Sequence, residues 1–371
     1  MGPDLDGDQV LLTSLHDLPT PALLVDLDVL ERNLARMQAR CDELGVALRP
    51  HVKTHKCIEI GRMQRDLGAR GVTVATIEEA RAFADAGFDD ITWAFPVISG
   101  RIGEVREIAE RSVLRLLVDS RAAIEALERD GYPFHVWLEV DSGDHRSGVD
   151  PESESAPELA RALADSASLQ FDGILTHAGH TYRAGDASGR RAVAGQERDI
   201  MVRLAGRLRD AGIEVRHVSV GSTPGMTAID HLRGVSEARP GNYAYFDATQ
   251  VALGACEAGD CALTVWASVV SSALDHAVLD AGALALSKDA GPGDARPSMG
   301  RLFEDYEAGR LREERLVSVS QEHGVVGGPL EVGSRARILP NHSCLTNACF
   351  DRVHAVRGGN VVDVWRVRRE R

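Results

Sequence analysis

From about residue 20 to residue 220 the chain repeats one pattern. A short run rich in Val, Leu and Ile gives way to a stretch with helical periodicity, and the next run follows. The apolar runs are residues 20–25, 46–52, 71–76, 90–95, 113–118, 135–140, 171–176 and 215–220, eight in all. The segments between them carry helix signals. Leu27, Leu30, Leu34, Met37, Cys41 and Leu44 recur at alternating spacings of three and four, one apolar face that stops at Gly45. Ser120 stands where an N-cap is needed, ahead of a helix running to Arg129. Short buried strands separated by single helices pair in parallel, with right-handed crossovers. Eight such units match an α/β fold of the (β/α)8 TIM-barrel type, typically about 250 residues. The competing solution is an open doubly wound sheet. It normally carries a G-x-G-x-x-G turn, and the chain has none.

Beyond about residue 250 the texture changes. Residues 261–271, 276–279, 315–321, 335–339 and 361–367 are β-rich and are divided by Gly- and Pro-containing loops. Two domains are expected: a barrel over 16–250 and a C-terminal all-β domain over 251–371, to which residues 1–15 could be added. Composition excludes several classes. A net charge of −14 argues against nucleic acid or an anionic membrane as main partner. No apolar run approaches the roughly 20 residues that span a bilayer. The acidic first fifteen residues lack the basic start of a signal peptide. Six cysteines in 371 residues are no disulfide framework, so a cytoplasmic protein is expected.

The functional argument lies at the strand ends, because a barrel builds its active site at the C-terminal ends of its strands. Pro50-His-Val-Lys53-Thr-His-Lys56 follows the second run. Asp141-Ser-Gly-Asp-His-Arg146 follows the sixth, and His177-Ala-Gly-His180-Thr-Tyr182 the seventh. Gly221-Ser222-Thr223-Pro-Gly225 follows the eighth, and Arg239-Pro-Gly241-Asn242-Tyr243 comes soon after. Each alone reads equally as a solvated loop. Small residues and two hydroxyls at 221–225 suit either a plain turn or a phosphate cradle. A lysine at the same mouth adds the amine, and pyridoxal 5′-phosphate is the cofactor that needs both. His342 and Cys344, two apart in the β domain, fit a structural pair or, if both face one side of a strand, two ligands of one ion.

Together with Thr20-Pro-Ala-Leu-Leu-Val-Asp26 and Pro340-Asn-His-Ser-Cys344, these motifs resemble the D-threonine aldolase/D-serine dehydratase family. Its members are fold-type III pyridoxal-phosphate enzymes with an alanine racemase-like barrel. The resemblance covers nearly the whole chain, and Pro-His-x-Lys-Thr-His-Lys is its most specific element. It implies that Lys53 forms the Schiff base and that Arg146 lies near the cofactor's phenolic oxygen. It places the ring beside His177 and His180, either of which could act as acid or base, and Tyr182 towards the pyridine nitrogen. It assigns the phosphate to Gly221, Ser222, Thr223, Gly241 and Asn242, with Tyr243 beside them. His51 and His55 are expected to pack and position. His342 and Cys344 become metal ligands. The thiolate favours Zn²⁺, whereas Mn²⁺ or Mg²⁺ would suit an aldolase.

The implied substrate is a small D-3-hydroxy amino acid. Lys53 takes its α-proton, and the metal polarises its β-hydroxyl towards loss of water, giving a 2-oxo acid and ammonia. Retro-aldol cleavage to glycine and an aldehyde is the alternative in the same site. A non-catalytic carrier of pyridoxal phosphate would need no metal pair. A racemase would need a second base. A homodimer is expected from the resemblance, with neither nucleic acid nor membrane as partner.

Overall fold

The computed structural model describes residues 13–291 and 298–370. The chain forms two units. One holds Leu34–Tyr243 with Leu253–Ala255 and the chain from Arg368; the other holds the described residues up to Asn33 with Ala244–Ala252 and Cys256–Val367.

The first unit is the barrel. Its strands, in chain order, are Ala47–Leu48, Val72–Val74, Asp90–Pro96, Val113–Val118, His135–Val140, Gln170–Thr176, His217–Val220 and Glu237–Ala238. From the second to the eighth they pair in parallel with their sequence neighbours, and the eighth lies beside the first, Glu237 opposite Ala47. The ring closes between the first and second strands: Arg70 N–H donates to the Leu48 carbonyl at 2.7 Å and Thr73 N–H to that of Pro50 at 2.8 Å. The helices start and stop on the expected signals. Ser120 Oγ accepts from Ala123 N–H, and Gly131, at φ +77°, ends Arg121–Asp130 in the left-handed conformation that glycine tolerates. The helix Leu27–Leu44 stops at Gly45, as its periodicity predicts.

A belt of charge crosses the barrel interior. Arg49, 1% exposed, bonds Glu237 through Nε at 3.0 Å and Asp90 through Nη2 at 3.2 Å. Arg115 joins Asp90 to Asp172, the latter at 2.6 Å, and His135 Nδ1 meets Asp172 at 3.0 Å. Above the belt Leu117, Trp137 and Leu175 form an apolar plug.

The second unit is the β domain. Six antiparallel strands close a ring in the order Leu263–Ser272, Ala277–Leu279, Gly324–Val326, Arg310–Val319, Gly300–Asp305 and Arg335–Leu339, the last pairing back on the first. Ala22–Asp26 extends this sheet, antiparallel to Leu263–Ser272 and parallel to Arg352–Arg357.

That strand corrects the sequence reading. Residues 20–25 were expected to open the barrel, and the barrel domain was expected to start at 16. Instead residues 16–33 lie in the β unit, and the eighth barrel strand is the two-residue Glu237–Ala238. The physical reason is that all five residues of Ala22–Asp26 are buried. A strand covered on both faces reads as a continuous apolar run whichever sheet receives it. Among the described residues no helix is long and apolar enough to cross a membrane.

Candidate active site

The stretch 50–56 folds as a short 3-10 turn, Val52–Thr54, at the end of the first barrel strand. Backbone bonds pin it: His51 N–H donates to the Pro240 carbonyl at 3.0 Å, and Thr73 N–H to that of Pro50 at 2.8 Å. His51 caps the turn, its Nδ1 accepting from Lys53 N–H at 3.5 Å. The other polar residues of the stretch have structural partners. Lys56 is buried, at φ +52°, and its Nζ is ion-paired with Glu79. His55 is buried, with Nε2 3.2 Å from Gln64 Oε1, and burial pushes its pKa down to about 4. Lys53 lines a cavity at the barrel mouth.

That cavity has a volume of about 420 Å³, within the range of small-molecule sites. One wall is apolar: Ala75, Ala94, Phe95, Pro96 and Leu117, from the second to fourth strands. The other carries His51, His177 and Arg239, from the first, sixth and eighth. Arg146, Ser147 and Glu139 close it on the fifth-strand side. Two guanidinium groups and an amine therefore face a single carboxyl group, a balance that suits an anionic ligand. Both cavity histidines are held neutral. Burial first, then Lys53 and the neighbouring arginines, hold His51 and His177 well below the ordinary imidazole value.

The two glycine-containing turns meet behind the Lys53 loop. Gly221 has φ +103°, and Ser222 and Thr223 are buried. Thr223 Oγ1 accepts from Tyr243 N–H at 3.0 Å, joining the seventh-strand turn to the eighth. Gly241 presses on the lysine loop: a Cβ there would lie 2.5 Å from the His51 carbonyl oxygen and 3.1 Å from Thr54 Oγ1. Glycine backbone and buried hydroxyls next to the lysine turn fit a phosphorylated cofactor joined to that lysine.

The expected site residues divide accordingly. Lys53, Arg146 and His177 share the cavity. His180 and Tyr182 lie on the 3-10 segment Gly179–Arg183 and are not among its lining residues. The Tyr243 side chain is buried, and its hydroxyl accepts from Gln64 Nε2 at 2.9 Å. Its link to the cradle is its backbone N–H.

Three contributors escaped the sequence reading. Arg239 lies buried on the cavity wall with Nη groups on Ser219 Oγ and the Thr176 carbonyl, and burial lowers its pKa to about 10. Glu139 stands in an otherwise apolar strand. Glu197 is buried on the helix Ala187–Asp210, where one oxygen accepts from both Ala178 N–H at 3.0 Å and Gly221 N–H at 3.2 Å. A signal for Glu197 existed: it falls on the buried face of Ala194, Met201, Leu204 and Leu208, where a carboxyl group needs a reason.

In the β unit His342 does not lie in a strand, the element in which its spacing to Cys344 would put both on one face. It is the extended N-cap of the short helix Ser343–Asn347, and Cys344 is two residues further, inside the helix. The two side chains still meet, in a hydrogen bond that helps hold His342 protonated. Asp289 Oδ2 lies 3.0 Å from His342 Nδ1. Burial opposes the charge, but Asp289 and Cys344 outweigh it and push the His342 pKa up to about 11. A carboxylate on Nδ1 leaves Nε2, once it gives up its proton, to a metal, the usual carboxylate–histidine–metal arrangement. An imidazole and a thiol in contact, so oriented, fit a divalent ion. Among the described residues no set of three or more His, Cys, Asp or Glu is arranged to hold one, so the pair offers two protein ligands. Cys349 Sγ donates to the Leu345 carbonyl at 3.4 Å, a local helical contact.

Two family profiles match the chain. Residues 25–249 match the family profile "Alanine racemase, N-terminal domain" and residues 262–356 match "Putative serine dehydratase domain". The chain is 38% identical over 374 residues to a D-threo-3-hydroxyaspartate dehydratase from Delftia sp., covering 95% of this chain and 98% of that protein. It is 31% identical over 370 residues to a D-threonine aldolase from Arthrobacter sp., covering 95% and 93%. A solved structure of a D-threo-3-hydroxyaspartate dehydratase, a cysteine-to-alanine variant in the metal-free form, superposes with a TM-score of 0.89 at 38% identity, covering 95% of this chain and 98% of that one.

Proposed function

Since the chain belongs to the D-serine dehydratase/D-threonine aldolase family with its alanine racemase-type N-terminal domain, we propose that it is a pyridoxal phosphate- and metal-dependent lyase of D-3-hydroxy amino acids. Its reaction removes water from D-serine or D-threo-3-hydroxyaspartate and yields a 2-oxo acid and ammonia. The observation that carries this reading is Lys53, held by its pinned turn in a cavity of about 420 Å³ beside two arginines and two neutral histidines.

Pyridoxal phosphate, when bound, supplies an electron sink for the charge that develops at Cα, and a divalent ion supplies Lewis acidity towards the β-hydroxyl. Lys53 Nζ would hold the cofactor and is the amine placed to take the proton from Cα. Neutral His51 and His177 line the cavity without adding further positive charge beside that amine. The cradle of Gly221, Ser222, Thr223, Gly241 and Asn242 takes the phosphate, and Arg146 and Arg239 complement the anionic groups of cofactor and substrate. The apolar wall excludes water from one side of the cavity. His342 and Cys344 hold the ion, for which Zn²⁺ suits the thiolate, and Asp289 sets the tautomer of His342. Homodimerisation is part of the same reading, as is a reducing compartment, consistent with six free cysteines.

The test is incubation with D-serine, D-threonine and D-threo-3-hydroxyaspartate, assayed for 2-oxo acid, glycine and aldehyde, with and without chelator. Formation of 2-oxo acid that a chelator abolishes is expected. Glycine without 2-oxo acid would make the chain an aldolase, the reading favoured by its 31% identity to the Arthrobacter enzyme.

A further inference from the structure

Among the described residues four glutamates are buried, all of them in the barrel unit: Glu79, Glu139, Glu197 and Glu237. Three are surrounded as buried carboxylates should be. Glu79 is paired with Lys56 Nζ and accepts from Ala75 N–H at 2.7 Å. Glu197 accepts from two backbone N–H groups. Glu237 accepts from Arg49 Nε at 3.0 Å and Ser219 Oγ at 2.6 Å. Glu139 differs. It is 5% exposed, its Oε1 accepts only the Ser147 hydroxyl at 2.8 Å, and its Oε2 is buried without a partner.

Its position gives that oxygen a direction. Glu139 is two residues beyond Trp137 on the fifth strand, so both side chains point into the barrel. Trp137 fills the plug, and Glu139, one step nearer the strand's C-terminal end, lines the cavity. The fifth strand lies four places from the first whichever way the ring is followed, so Glu139 faces the cavity from the side opposite the Lys53 turn. The charged groups around it are Arg146 on the loop after its own strand, Arg239 after the eighth strand and Asp119 after the fourth. Burial, helped by Asp119, raises its pKa, and the Ser147 hydroxyl and the two guanidinium groups oppose this without cancelling it.

We propose that Glu139 is held as a neutral carboxylic acid whose Oε2–H donates a hydrogen bond to an anionic oxygen of the ligand in this cavity. This deepens the lyase reading and rests on it for the ligand's identity: the oxygen belongs to the pyridoxal cofactor or to the carboxylate of the amino acid. A neutral acid does here what a fourth cation could not. It donates to the ligand without placing another positive charge beside Arg146, Arg239 and the Lys53 amine.

Infrared spectroscopy of the full chain, with and without pyridoxal phosphate, tests the protonation. The wild type at neutral pH should show a protonated-carboxyl C=O band that Glu139→Gln lacks. If that variant does not fold, Glu139→Asp keeps the assignment by moving the band's frequency. Absorbance tests the hydrogen bond. Glu139→Gln retains a neutral donor and should leave the pH midpoint of the visible cofactor band within about half a unit of wild type. Glu139→Leu removes the donor and should weaken one interaction roughly tenfold. Loss in cofactor retention assigns the oxygen to the cofactor, and loss in KM for D-serine assigns it to the substrate. Only carboxylate bands in the wild-type-minus-Gln difference, or a midpoint shift of about one unit or more on Glu139→Gln, overturns the proposal. A chain that takes up no pyridoxal phosphate would overturn the lyase reading instead, and the infrared band of the cofactor-free protein would still decide Glu139.

Discussion

At the residue scale, Lys53 and Lys56 show how position separates two identical side chains. Lys56, three residues on, is the same amino acid at a left-handed position and is neutralised by Glu79. Lys53 instead meets a cavity. Lys53→Ala should abolish the visible absorbance of bound cofactor and lower turnover by a factor of about 10³ or more, read by spectrum and by 2-oxo acid assay on one preparation. His342→Ala and Cys344→Ala should separate the two: the cofactor spectrum is retained while dehydration is lost, and chelation of the wild type has the same effect. A variant pair that keeps full turnover in chelator would remove the metal from the mechanism. Lys53 was legible because a lysine at the end of a buried strand must be paired or employed. Glu139 was not. Nothing in His-Val-Trp-Leu-Glu-Val says that its neighbours across the barrel leave one oxygen bare.

At the scale of elements, the site is held by contacts between loops. The clearest is Glu197, which bonds the first residue of the Gly221 turn and the residue after His177 with one oxygen. Glu197→Gln keeps an acceptor and should bind cofactor nearly as wild type. Glu197→Leu strands two buried N–H groups and should weaken cofactor binding by roughly 10- to 100-fold, measured by absorbance titration. Equal affinities for the two variants would show that the bonds do not position the turns. Element type was largely readable, because helix faces and caps are local. Element membership was not: Ala22–Asp26 and a barrel strand look alike in sequence, and Glu237–Ala238 is too short to carry a period. His342 and Cys344 converge across a helix N-cap and not along a strand, a geometry that their spacing alone does not specify.

At the scale of the molecule, the charged belt links stability to pH. Burial would raise Asp90, Asp172 and Glu237. Arg49 beside Asp90 and Glu237, and His135 and Arg115 beside Asp172, outweigh it and leave all three below their ordinary values. Their folded-state pKa values are depressed, so their stabilisation is complete above the unfolded carboxylate range near pH 4 and is lost as pH falls through the folded values. Glu139 and Glu197, both raised, act in the opposite sense and lose their contribution as pH rises through their folded values. Arg49→Leu takes its guanidinium from buried Glu237 and from half-buried Asp90, which keeps only Arg115. It should cost about 3–5 kcal/mol at neutral pH, and the deficit should shrink in acid as Asp90 and Glu237 take up protons. Urea midpoints of both proteins between neutral pH and about pH 3 check this. A deficit that stays constant with pH would mean packing, and not charge, dominates the loss.

The sequence by itself determined what local periodicity and residue chemistry can encode: an alternating α/β barrel followed by β structure, a lysine at a strand end, small-residue turns, and a His-x-Cys pair. Tertiary structure decided what depends on residues far apart in the chain. Strand membership depends on partners up to 330 residues away, as where His354 in the last hairpin pairs with Leu24. Which charges are paired and which carboxyl group keeps a free oxygen depends on the whole ring of strands. Local physics selects conformations one segment at a time, whereas burial and hydrogen-bond satisfaction are settled only when distant segments close on one another.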